Sequence, residues 1–331
     1  MAVTPDGVPL GVLAVWFWTR DRATCGEAKR HWPIEAKERR RWLEGFERCA
    51  ELAESLPDTR LVYVADREGD IHEVMSRARR WPGIAWLSRA THHRCLAEGD
   101  TLWDRLAPAP VLGEVTFTLA ARPNRPRRPG VLTVRAERVP LSPQGGDPVT
   151  VTALRVREES PPAGGEPLDW RLLSNRPATT LARAAELIPW SGARWGMEVF
   201  FRIFKTGGRV EAWQLRTLER LEPALALDWL IAWRIQYLTV LGRVTPELPC
   251  DVVLSPAEWQ AVYVAIHRQP PPTAPPRLPA MLDWIARLGG YLGRKCDGPP
   301  GPQALWIGLQ RARDLAWGMQ LASDLHAQTT G

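Results

Sequence analysis

Cysteine is sparse and poorly placed for a structural role. The five thiols, Cys25, Cys49, Cys95, Cys250 and Cys296, form no CxxC pair and no Cys/His ligand spacing, and their odd number argues against a disulfide framework. They read as scattered reduced thiols, which sets the expectation of a cytoplasmic protein. A basic stretch followed by an apolar one is missing from the first residues, MetAlaValThrProAspGlyVal, so no secretory leader is expected. A clean membrane-length apolar run is missing as well. The longest apolar stretch, residues 223–241, contains Asp228, Arg234 and Gln236 and predicts a buried helix rather than a membrane span. Lysine is scarce, so almost all the positive charge is arginine, whose planar fork of donors suits phosphate. A GC-rich genome would favour arginine too, so composition by itself does not decide for nucleic acid. No internal repeat is visible.

What is present is enough for one large core or two smaller ones: 331 residues, 45% of them hydrophobic, with a net charge of +6. Seventeen tryptophans are many for this length. Most should be core, with one or two able to stack on bases. Residues 8–18 form a β-rich apolar run entered through the turn signal ProAspGly and predict a buried strand. Trp42, Phe46, Cys49, Leu52 and Ala53 recur at helical spacing, so residues 35–56 predict a helix with a charged outer face at 37–41. Residues 61–65 predict a short buried strand, residues 72–80 a helix and residues 84–90 another strand. This alternation indicates an α/β core. Residues 113–122, 130–138 and 149–157 then read as strands parted by turn chemistry, and residues 106–174 as an antiparallel insertion. After Thr179 the pattern is mainly helical. Residues 269–279, rich in proline, predict a stiff connector between helices, and Ser255 with Glu258 a capping box.

Two places carry chemistry. In the run ArgTrpGlyMetGluValPhePheArgIlePheLysThrGlyGly, read as a helix beginning near Ser191, the side chains of Arg194, Glu198, Arg202 and Lys205 fall within an arc of about 80°. Met197, Phe200 and Phe204 lie on the opposite side. One carboxylate framed by three cations suits phosphate chemistry, although a solvated face of i, i+4 pairs gives the same pattern. Asp66 stands just past the end of the strand at 61–65, where α/β folds place functional groups. Asp70 reads as the N-cap of the helix that follows. Carboxylates gathered by a fold can hold two Mg²⁺ ions for phosphodiester chemistry.

Four motifs carry a resemblance. ValAlaAspArgGluGlyAspIleHisGlu (64–73), AspTrpArgLeuLeuSerAsn (169–175), ArgTrpGlyMetGluValPhePheArgIlePheLysThrGly (194–207) and LeuGlyGlyTyrLeuGlyArgLysCysAspGlyProProGly (288–301) resemble, in order and spacing, the DDE transposases of bacterial insertion-sequence family 4. The resemblance runs to about residue 321. It implies an α/β RNase H-like core (1–105 and 175–243), an antiparallel β-insertion (106–174) and a helical C-terminal dimerisation region (244–331). Asp66 and Glu198 match catalytic, metal-binding carboxylates for Mg²⁺ or Mn²⁺. Arg89, Trp170, Arg194, Arg202 and Lys205 match DNA-binding positions, while Ser191 stands where the family signature has a tyrosine. The first catalytic aspartate, its strand and the preceding DNA-recognition domain have no counterpart, and Asp6 falls in a hairpin turn. The resemblance therefore implies an N-terminally truncated transposase with an incomplete two-ion site, inactive by itself. Its partners would be transposon-end DNA and, through the C-terminal helices, a second copy or a full-length relative; no membrane is expected. The alternative is a regulatory chain that pairs with a full-length transposase and inhibits it. A hydrolase using Asp66 and Glu198 as an acid/base pair leaves the surrounding cations unexplained.

Overall fold

The N-terminal segment departs at once from the strand expected over residues 8–18. In the computed structural model, which describes residues 1–17, 37–96, 99–119, 128–142, 148–162, 166–294 and 297–330, only β2 (Pro9–Gly11) is a strand there. It pairs antiparallel with β1 (Ala2–Val3) alone. The turn between them places Asp6 as anticipated: the Gly7 amide donates to Thr4 O at 2.9 Å, and the Gly7 φ of +82° is one that glycine supplies cheaply. A strand extends only as far as its ladder partner, and β1 offers two residues. Leu10 is consequently 58% exposed. Trp18, Cys25, Cys296 and the end of the strand expected to reach residue 122 lie outside the described residues.

The chain forms two units, Trp18–Arg194 and Met1–Phe17 with Trp195–Gly331. The first contains α1 (Arg40–Ser55), β3 (Val62–Ala65), α2 (His72–Ala78), β4 (Ala85–Arg89), α3 (Leu102–Leu106), β5 (Gly113–Leu119), β6 (Arg128–Leu141), β7 (Val149–Arg157), β8 (Asp169–Ser174) and α4 (Leu181–Ala193). One six-stranded sheet runs β3-β4-β8-β7-β6-β5, parallel between β3 and β4 and antiparallel elsewhere. The strands read as an insertion are thus hydrogen-bonded into the same sheet as β3 and β4. Among the described residues, β3 is an edge strand.

Alternation across the strands builds two cores. Ala153 and Leu173 face a cluster with Phe46 of α1, Met75 of α2 and Leu102 of α3. Their chain neighbours Leu154 and Leu172 face the other way, against Ala184, Leu187 and Ile188 of α4. The sheet is therefore covered by helices on both faces. Because β8 is buried on both faces, Leu172, Leu173 and Ser174 lack the period-2 signal that marks a half-buried strand.

The second unit is helical: α5 (Trp195–Gly208), α6 (Leu218–Val244), α7 (Pro256–His267), α8 (Leu278–Leu288) and α9 (Pro302–Thr330). Phe200 and Phe204 of α5 meet Trp229 of α6 edge-on at 5.0 and 5.7 Å. The capping box stands as expected, with Ser255 Oγ accepting from the Glu258 amide and Glu258 Oε2 accepting from the Ser255 amide at 2.9 Å. Helix α6 corrects the expectation of a buried helix over residues 223–241. It buries one stripe, including Ala232, Ile235 and Leu238, while Leu227 and Leu230 are 64% and 59% exposed. By length and composition it is long and apolar enough to cross a membrane, only marginally, at a mean hydropathy of 1.2. Two of its polar residues are engaged within this unit: Arg234 makes a forked pair with Glu258 at 2.9 and 3.1 Å, and Gln236 donates to Gly196 O at 2.7 Å.

Burial separates the described thiols. It pushes the Cys250 thiol up to about 11, with the Asp251 charge adding, whereas Cys95 is exposed. At pH 8 the thiolate fraction of Cys250 is then roughly a thousandth. Iodoacetamide followed by peptide mapping is expected to modify Cys95 promptly and Cys250 only after unfolding; comparable rates would contradict the burial.

Candidate metal and nucleic-acid site

Asp66 leaves the C-terminal end of β3 and caps a 3-10 turn, Arg67–Gly69, its Oδ1 accepting from the Glu68 amide at 2.8 Å. The turn is tight because Gly69 lies on Trp42 and Ala65; a Cβ there would come within 3.1 Å of the Trp42 ring and overlap Ala65 Cβ. In the parallel pair Ala65 is opposite Ser88, so Asp66 and Arg89 each follow that pair by one residue, at the ends of neighbouring strands. The structure thus brings these two expected site residues together at one sheet edge.

Asp70 is a correction. It does not cap α2, whose N-cap position is Ile71 with no side-chain cap bond. Asp70 is instead 1% exposed and pairs with Arg94 at 2.8 Å. It also accepts from the amides of Thr91 and His92 at 2.8 and 3.2 Å. These bonds tie the loop bearing Asp66 to the loop after Arg89. Nothing local in the sequence signals them, since the partners are 21 to 24 residues away.

Trp170 lies on β8 opposite Val156 and packs into the core beneath α4, its ring edge-on to Phe117 at 5.4 Å. Its neighbour Arg171 faces the other side, over the Trp103 ring at 5.4 Å, and shares Asp169 with Arg155.

The helix expected to begin near Ser191 is two helices. Ser191 and Gly192 lie in the last turn of α4, which ends at Ala193, Arg194 is its C-cap residue, and α5 starts at Trp195. Glycines at 192 and 196 flank the junction, each costing a helix about 1 kcal/mol relative to alanine. Arg194 therefore closes the sheet-bearing unit, while Glu198, Arg202 and Lys205 belong to the helical one. Within α5 the amphipathic reading holds. Glu198, Arg202 and Lys205 are exposed, and Phe200, Ile203 and Phe204 are buried. Lys205 has an acidic neighbour that the sequence reading missed, Glu211 at 3.6 Å. Both partners are well exposed, so the pair contributes little and an arriving phosphate can replace it.

Of the expected carboxylates, Asp66 is in one unit and Glu198 in the other. Among the described residues no group of three His, Cys, Asp or Glu side chains stands together to hold a metal ion. As donors the two carboxylates suit a hard divalent cation such as Mg²⁺ or Mn²⁺.

Beyond this geometry, residues 230–328, from within α6 almost to the end of α9, match the family model of the transposase Tn5 dimerisation domain. This likeness supports a transposase, and a dimerisation domain supports formation of a homodimer.

Proposed function

We propose that the chain is a DDE transposase of insertion-sequence family 4 with an RNase H-like core, in which Asp66 and Glu198 are metal-binding carboxylates. The observation that carries the reading is the match of residues 230–328 to a transposase dimerisation domain in a chain whose Asp66 stands at a strand end beside Arg89. Bound Mg²⁺ or Mn²⁺ would activate water or a 3′-hydroxyl for in-line attack on a phosphodiester at the transposon end. The chain's own cations do the holding. Arg202 and Lys205, three residues apart on the exposed face of α5, grip backbone phosphates, with Arg194 and Arg89 adding further contacts. Trp170, fixed against Phe117, offers what remains exposed of its ring to a base. For dimerisation the end of α9 presents Trp317, 73% exposed, with Leu321 and Leu325.

Phosphate contact is tested by the salt dependence of binding to a DNA duplex. Arg202→Ala and Lys205→Ala are each expected to weaken binding severalfold and to lower the log–log salt slope by about one. Unchanged slopes would overturn the assignment. Because the reading assigns two carboxylates to a chemistry that uses three, the 331-residue polypeptide is proposed not to cut DNA by itself. Cleavage of a duplex in Mg²⁺ would refute that part.

A second reading is favoured by the same C-terminal match: a regulatory chain that pairs with a full-length transposase and inhibits it. Failure to co-purify with a full-length relative would exclude it.

A further inference from the structure

At the end of α5 the helical unit has a surface hollow of about 370 Å³, open to solvent. Two indoles (Trp213 and Trp306), two carboxamides (Gln303 and Gln310), the carboxylate of Asp228 and the exposed Arg209 line it. Its size is at the small end of ligand sites, with room for one base and none for a duplex.

The helix end is built to keep this space. A Cβ on Gly207 would run into the Trp306 ring, and one on Gly208 would overlap the Asp228 carboxylate. Arg209 follows with φ 49° and ψ 36°, a left-handed conformation that is strained for a non-glycine residue. Trp213 closes the turn by donating its Nε1–H to Gly208 O at 3.1 Å. Asp228 is half-buried and has no hydrogen-bond or ion-pair partner among the described residues, and burial pushes its carboxyl up. The next polar side chains along α6, Arg234 and Gln236, each donate to a partner, while Gln236 Oε1 is buried without one. A half-buried carboxylate without a donor from the protein takes its hydrogen bonds from water or from a ligand.

That requirement narrows the occupant. A carboxylate is acceptor-only with two coplanar oxygens, so its best partner presents two adjacent N–H donors. Trp213, partly exposed, offers the hollow an aromatic surface suited to a flat body, whereas Trp306 is only 5% exposed. Arg209 disfavours a cation and favours an attached anion. We propose that this hollow binds a guanine base, Asp228 accepting from its N1–H and 2-amino group while Arg209 meets the phosphate. Adenine, cytosine and thymine do not present two adjacent N–H donors on that edge. The site is independent of whether the chain cuts DNA.

Calorimetric titration of the full chain with dGMP, dIMP, dAMP and dCMP, and with single-stranded pentamers that contain one guanine or none, tests this. Binding of dGMP is expected to be tighter than dAMP or dCMP by about tenfold or more, and dIMP, which lacks the 2-amino donor, to lose most of that advantage. Asp228→Asn should remove the preference. A guanine pentamer binding more tightly than dGMP assigns the base to a DNA strand, and the reverse order assigns it to a free nucleotide; both support the site. No binding of any guanine ligand, four ligands within about threefold of one another, or dIMP equal to dGMP would overturn it. The dIMP comparison uses the unaltered chain and decides the matter even if the Asp228 variant does not fold.

Discussion

Alanine at Gly308 is expected to separate α9 from α8 and to lower the stability of the helical unit by about 3 kcal/mol or more. The two helices touch backbone to backbone at this point. A Cβ on Gly308 would overlap Ile285 O and lie 2.7 Å from the Ile285 carbonyl carbon, and Gly289 meets Ala304 in the reciprocal way. A flexible side chain could swing aside, but main chain within a helix cannot, so the helices must part. Around the contact Ile285, Ala286, Leu305 and Leu309 would lose their packing. Thermal unfolding should show a melting temperature lower by roughly 6–12 °C for a unit of this size. Sedimentation should show the dimer weakened, because the exposed residues of α9 are carried by the displaced helix. A variant within about 1 kcal/mol of the unaltered protein would show that the approach is looser than described.

The second large effect is expected at Asp70. Replacing it with alanine strands Arg94, whose side chain is 17% exposed, as a half-buried cation and frees the amides of Thr91 and His92. Breaking a buried pair by removing one partner costs about 3–5 kcal/mol, most of it the penalty of the orphaned charge. Denaturant unfolding measures this. The loops bearing Asp66 and following Arg89 are joined through these bonds and through Thr91 Oγ1 donating to Arg67 O at 3.2 Å. The same variant should therefore weaken any DNA or metal binding that depends on Asp66. Alanine at the neighbouring exposed Glu68 is the control, expected to change stability by less than about 0.5 kcal/mol. Equal effects at the two positions would show that Asp70 does not act as a buried anchor.

Some of this was legible before any coordinates. Helix α5 has its apolar and charged residues sorted by a 3.6-residue period, and the exposed Glu198, Arg202 and Lys205 over buried Phe200 and Phe204 follow from that spacing. The capping box at Ser255 and the turn at Asp6 are equally local, because each is decided by bonds spanning three or four residues. The stretch at 8–18 misled for the opposite reason: its composition favours a strand, but a strand also needs a partner of matching length.

Amino-acid order determined, by itself, the local periods, the caps and turns, the arginine-rich charge and the strand end at Asp66, since these depend on neighbours within a turn or two. Only the tertiary structure decided that Asp70 is a buried ionic anchor, that β8 joins the two parts of one sheet, that α6 leaves Leu227 and Leu230 largely exposed, and that Arg194 and Glu198 stand in different units. Each of these rests on partners tens of residues apart or on which face of an element is covered, and no local pattern encodes the arrival of a distant group.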